Sequence, residues 1–335
     1  MKKYILILLL LCQTLAAVTA QSKTDFKIAN TFHIQSKGGW DYLAINSNRL
    51  YVSHSSQVNV LDKITGDSVG VVANTMGVHG IAFMPALGKG YTSNGRTNNV
   101  SVFDLKTNVV LNQIPTGENP DAIMYEPFSK TIITCNGKSN DLSIIDPSSN
   151  AVIATIAVSG KPETLVSNEK GLVYVNIEDK NEVLVIDILT KKIVNTWTLG
   201  TAEAPRGLAI DTTNNLLFVG CDEALVVLKA QNGEIIDKIR IGEGCDGVVY
   251  DKILKYIFAS NGEGTLTIIE EKSPFTFVVL ANLPTKKAAR TICLDEETHT
   301  VYLPTSEFEP RLPTDDPKAR QKTKAGTFQV IVIKQ

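Results

Sequence analysis

The sequence predicts an all-β protein: a seven-bladed β-propeller of four-stranded antiparallel blades. Three observations predict it. A short apolar phrase recurs at a nearly constant period. Each copy lies among short runs rich in Val, Ile, Tyr and Phe, broken by turn residues. Nowhere does a 3.6-residue apolar period hold for three turns, so no long amphipathic helix is expected.

The phrase is an alternating strand closed by an acid or another polar residue. It reads Val58-Asn59-Val60-Leu61-Asp62, then Val100 to Asp104, Leu142 to Asp146 and Val183 to Asp187. Weaker copies end at Lys229, Glu270 and Lys334. The intervals between closing positions are 42, 42, 41, 42, 41 and 64 residues. Six intervals make seven repeats, and the long one marks an insertion in the last repeat.

Within a repeat the order of elements is constant. An inner segment such as Gly207-Leu208-Ala209-Ile210 comes first. An Asp- or Asn-containing turn follows, then a β-rich run such as Leu216 to Gly220. The recurring phrase is the third strand, and an alternating run such as Ile235 to Ile241 is the fourth. The seventh repeat ends at Gln335, after its third strand. The run Phe26 to Ile34 alternates and belongs to no repeat. It is expected to supply the missing outer strand and close the ring, which removes an open edge.

Residues 1–20 read differently. Lys2 and Lys3 precede an apolar run from Tyr4 to Leu11, and Val18-Thr19-Ala20 supplies small residues. This is the pattern of a signal peptide, too short for a permanent membrane span. A periplasmic or secreted protein is expected, with residues 21–335 forming one propeller domain and no integral membrane segment. Without the two lysines, the chain carries 31 basic and 35 acidic residues, a net of -4. That balance argues against a basic-patch nucleic-acid binder. Four cysteines remain. Cys221 and Cys245 fall at positions that neighbouring blades bring close, so a disulfide and two free thiols are the alternatives. Cys135 and Cys293 read as strand-core residues.

The copies Leu50-Tyr51-Val52-Ser53, Val173-Tyr174-Val175-Asn176 and Gly90-Tyr91-Thr92-Ser93-Asn94 resemble the YVTN-type propeller repeat. The chain resembles the secreted YncE-like, quinoprotein-like or lactonase-like propellers. The resemblance implies the fold. It implies no single chemistry, because that superfamily includes binders, enzymes and cofactor carriers.

The start of each inner strand faces the central channel. The residues there are Asp41, His79, Asp121, Glu163, Arg206, Asp246 and Arg290, one per repeat and all titratable or charged. Four acids against two arginines favour a cationic or polar ligand over a polyanion. A second ring on the same face follows the second strands: His54, Asn94, Asn136, Asn176, Asp222, Asn261 with Glu263, and Glu307. Asn-Gly at several of these positions also reads as plain turn chemistry. Trp40 reads either as a stacking surface at the rim or as packing between the first and last blades. The insertion, about 304–325, is rich in Pro and charge and reads either as a lid loop, with Phe308 its anchor, or as a disordered surface loop. His33 and His299 read as structural.

These residues lead to one expectation and two alternatives. The expectation is a monomeric binder of a small polar molecule, peptide or glycan at the channel mouth, with no cofactor. The first alternative is a lactonase-like hydrolase using the channel acids and His79. A His54/His79/carboxylate site for a divalent metal stays open with it. The second is a protein-interaction scaffold.

Overall fold

A computed structural model describes residues 24–311 and 321–335. The signal-peptide reading of residues 1–20 and the middle of the insertion lie outside the described residues. The described strands form seven separate four-stranded sheets. Six have their strands in simple sequence order. In the first, strand A (Trp40–Asn46) pairs with B (Arg49–His54), B with C (Gln57–Asp62) and C with D (Ser68–Val72). The inner strands of the other blades are Val78–Met84, Pro120–Glu126, Pro162–Ser167, Gly207–Asp211, Cys245–Asp251 and Cys293–Asp295. Each packs beside the next, and Cys293–Asp295 returns to Trp40–Asn46, so the ring closes.

Closure follows the expected route. The seventh blade takes three strands from the C-terminus and its outer strand, Lys27–His33, from the N-terminus. That strand pairs antiparallel with Gln329–Lys334, from Lys27 opposite Lys334 to His33 opposite Gln329. Phe32 and Ile34 bury beside it, in one cluster with Tyr302 and Val330.

The middle strands carry the core. Tyr51, Tyr91, Tyr174 and Tyr302 are all at most 2% exposed, each on strand B of its blade. They fill the wedge between blades. Tyr51 meets Phe103 of the next blade at 6.0 Å. The Tyr174 hydroxyl donates to the Ala230 carbonyl of blade five at 2.8 Å. Tyr302 does the same across the closure, to the Lys63 carbonyl at 2.7 Å. Burying side chains of this size contributes about 2 kcal/mol each from apolar area.

The acid that closes the recurring phrase has a local role. Asp62 accepts the backbone N–H groups of Ile64 and Thr65 at 2.9 Å each. Asp104, Asp146 and Asp187 make the equivalent pair of bonds in their own C–D turns. These turns lie on the face opposite the inner-strand starts. There Asp251 also accepts from Ile253, Leu254 and His299. His299 is thus structural. The acids of that face hold turns.

Cys221 and Cys245 are both free thiols. The disulfide alternative is corrected: each sulfur packs along its own strand, 3.9 Å from the Val219 carbonyl and 3.6 Å from the Gly247 carbonyl. Burial raises both thiol pKa values, that of Cys221 to about 12. Cys135 is fully buried in the core, as expected.

Candidate functional site

Asp41, His79, Asp121, Glu163 and Asp246 are each the second residue of an inner strand. Arg206 immediately precedes its strand, and Arg290 lies three residues before Cys293. In five blades the A–B register shifts across this position, for instance between Trp40 and Leu43, and between Cys245 and Gly247. A bulge there turns the side chain out of the sheet alternation and toward the channel. A polar seam fixes the backbone. Ser93 donates to the Asp121 carbonyl, Thr164 to that of Arg206, and Ser260 to that of Arg290. Thr291 donates to Asp41 O at 2.6 Å, and Asn176 to Gly207 O at 3.0 Å. Each donor sits on one blade and its acceptor on the next.

All seven inner-ring residues line one cavity of about 520 Å³. It opens upward into a vestibule of about 810 Å³, and the two share Gly39, Trp40, Arg206 and Arg290. The floor also includes Arg96, Lys161 and Glu178, which the repeat register did not single out. The full floor is therefore five carboxylates against Arg96, Lys161, Arg206 and Arg290, with His79 as a fifth cation when protonated. The acid excess expected from the sequence is corrected to a balanced mosaic.

Its charges pair in sequence around the mouth. The His79 Nδ1–H donates to Asp41 at 2.6 Å, and Asp121 lies 3.8 Å from the same nitrogen. Lys161 meets Glu163 at 2.9 Å and also Glu178. Arg206 Nε donates to Glu178 at 2.6 Å. Arg290 Nε lies 3.2 Å from Asp246. Burial opposes a charged His79. The Asp41 bond and the charges of Asp121 and Glu163 outweigh it and raise its pKa to about 9. Burial raises Asp121 well above the carboxylate range, against the pull of His79. Burial also raises Glu163 and Asp246. Gly95 makes room for this centre: a Cβ there would meet His79 Nε2 at 2.7 Å.

Asp41, His79 and Asp121 offer ligand atoms all within 4.8 Å of one another, so they are the set that could hold a metal ion. His79 would first have to lose its proton. His54 does not join this set. It is 1% exposed and stacks on Phe328 at 4.0 Å. Its Nε2–H donates to the Gly38 carbonyl at 2.8 Å, which leaves Nδ1 to accept from Ser36.

The rest of the outer ring is also placed elsewhere. Asn94, Asn136 and Asn261 are fully buried. Each spends its amide N–H₂ on strand C, as Asn136 does on Asp141 and Ser143. Asn94 does so on Asn99 and Ser101, and Asn261 on Thr265 and Thr267. They lock hairpins and line neither cavity. Asp222 accepts the Gly244 N–H at 2.8 Å. Glu263 is exposed, accepts from Thr265 at 2.8 Å and borders a separate groove with Arg240. Glu307 pairs with Lys324 at 3.4 Å on the surface.

Trp40 packs between the first and last blades and also borders the mouth. It stacks on Phe328, beside the last blade, at 5.7 Å, and it lines both cavities. Phe308 faces it at 6.1 Å and lines the vestibule. The insertion begins as a ribbon rather than a loop. Phe308 bridges Thr323, and Glu309 N–H donates to the Lys322 carbonyl at 2.9 Å.

Two signals for the missed residues were present in the sequence. Asn119-Pro120-Asp121 and Lys161-Pro162-Glu163 share one x-Pro-acid pattern, which marks Lys161. In the fourth repeat Glu178 takes the place that Gly95, Gly137 and Gly262 hold elsewhere, and its carboxylate reaches the mouth.

No family model matches the chain, and no curated protein matches it. Among solved structures 1723 chains match. One is titled Kuenenia stuttgartiensis Hydrazine Synthase, 16% identical over 85% of this chain and 95% of that one, with a TM-score of 0.72. At that identity the likeness shows the fold alone. A fold this widely shared assigns no chemistry.

Proposed function

We propose that this chain is a ligand-binding propeller of the YVTN-repeat kind. Its ring mouth would receive a small polar molecule, or the end of a peptide or glycan. One observation carries the reading: seven residues, one from each blade, converge on a single cavity. Every propeller ring has a central channel, but the two cavities at this mouth have volumes typical of ligand pockets. The sequence of residues 1–20 supports placing the protein in the periplasm or outside the cell. Among the described residues, no helix is long and apolar enough to cross a membrane.

The hydrolase reading has one specific support, the Asp41–His79–Asp121 cluster. A histidine protonated up to about pH 9 is a poor general base at neutral pH. Binding is therefore the better reading. The test is a thermal-shift screen of polar metabolites, with a lactone assay run with and without chelator. A hit should raise the melting temperature of the wild type, and Asp121→Ala with Arg206→Ala should remove that shift. A shift untouched by both substitutions places the ligand elsewhere. Chelator-sensitive lactone turnover above background would favour the hydrolase.

A further inference from the structure

We infer that the ligand is a ring-bearing anion, a compact carboxylate, sulfonate or phosphate ester with a flat apolar body. The inference rests on the mouth being a binding site, and names what that site prefers. The floor and the vestibule differ in charge. On the floor, cations and carboxylates pair off. The vestibule lining has Glu309 as the sole acid among the described lining residues. Of its cations, Arg206 and Arg290 are already paired with Glu178 and Asp246 on the floor, and Lys287 and Lys322 add positive charge beyond them.

Lys287 Nζ donates to the neutral Gln321 amide oxygen at 3.2 Å. Neither Lys287 nor Lys322 has a carboxylate partner among the described residues. On the floor, by contrast, Lys161 and Arg206 are coupled closely to acids. Cations left without acids around a concave surface attract an anion.

The apolar side is as specific. Trp40 and Phe308 meet at 56° and 6.1 Å and form an aromatic corner. Lys287 Nζ lies 5.8 Å from the Phe308 ring centre, so charge and ring face share one corner. The rest of the lining includes Gly39, Gly244 and Gly262, where bare backbone lets a flat body approach closely. A ring stacked in that corner puts an anionic substituent within reach of Lys287. A cation there would meet like charge. An aliphatic anion would leave the corner unfilled.

The test uses three dyes on the full protein: anionic 8-anilinonaphthalene-1-sulfonate, neutral N-phenyl-1-naphthylamine and cationic proflavine. The anionic dye should bind one to one, tightest of the three, and weaken as salt is raised. Lys287→Glu with Lys322→Glu should weaken it at least about tenfold, with an unchanged melting curve as the folding control. Phe308→Ala should weaken both the anionic and neutral dyes. If the cationic dye binds as well as the anionic one, or charge reversal leaves the anion unaffected, the anion preference is wrong. Should Phe308→Ala still weaken the neutral dye in that case, the mouth remains a binding site. If no dye responds to Phe308→Ala or to charge reversal, the binding-site reading falls too.

Discussion

His79 decides the charge of the mouth at neutral pH. Its ring nitrogen donates to Asp41, Asp121 stands behind it, and Gly95 leaves it room. The sign of its effect on stability follows from the direction of its shift. Its pKa rises from 6.5 to about 9 on folding. The folded state therefore holds the proton more tightly. The stabilisation is complete below pH 6.5 and is lost as pH rises through 9. The displacement is worth on the order of 3 kcal/mol. Melting temperature should fall between pH 6.5 and 9.5 in the wild type. His79→Gln should flatten that slope while melting earlier at pH 6. An equally steep slope in the variant would mean that another group carries the titration. The residue type was legible in the sequence, because one charged or titratable residue per repeat is a pattern. The pairing was not. Lys161 and Glu178 stand at repeat positions where other blades carry Asn119 or Gly95, and only the fold brings their charges together.

At the scale of the blade, the repeat phrase specifies structure more than function. Its closing acids cap C–D turns, and its asparagines lock B–C hairpins. Both residue types also suit ligand contact, so sequence reasoning could not separate the two uses. What separates them is direction. Acids on one face are consumed by backbone N–H groups, whereas those at the inner-strand starts have bulges that aim them into the channel. His54 and the outer asparagines sit at the right face but one layer inside it, which fits the turn-chemistry alternative. The recurring tyrosine gives a test internal to the repeat. Tyr174 and Tyr302 donate across blade boundaries, while the buried hydroxyls of Tyr51 and Tyr91 have no partner among the described residues. Tyr174→Phe and Tyr302→Phe should each cost about 1 kcal/mol. Tyr51→Phe and Tyr91→Phe should be neutral or stabilising, because they remove a buried polar group that nothing satisfies. Denaturant midpoints of the four variants check this. Equal losses at all four positions would show that the cross-blade bonds are not what sets the difference.

At the scale of the whole molecule, ring and roof divide the work. Every blade contributes a residue to the floor, so the floor exists only when the ring is closed. That closure joins the two ends of the chain through Lys27–His33 and Gln329–Lys334. The roof comes from one insertion in one blade and touches the ring through a few contacts. Among the described residues these include Phe308 on Trp40, the Glu307 N–H on Thr327 at 3.0 Å, and Lys287 with Gln321. Blade one shows how little a B–C connection requires: there His54 pairs with Gln57 across two residues. Replacing 307–326 by Asn-Gly should therefore leave the fold intact. Ser306, Thr327 and Phe328 stay in place, so the stacks on Trp40 and His54 survive. The melting temperature should move by no more than about 4 °C, the equivalent of roughly 1 kcal/mol or less. Binding of the anionic dye should be lost with Phe308 and Lys322, while the pH-dependence set by His79 should remain. A large drop in melting temperature would make the insertion part of the closure rather than a roof. Full dye binding without it would move the site to the floor alone.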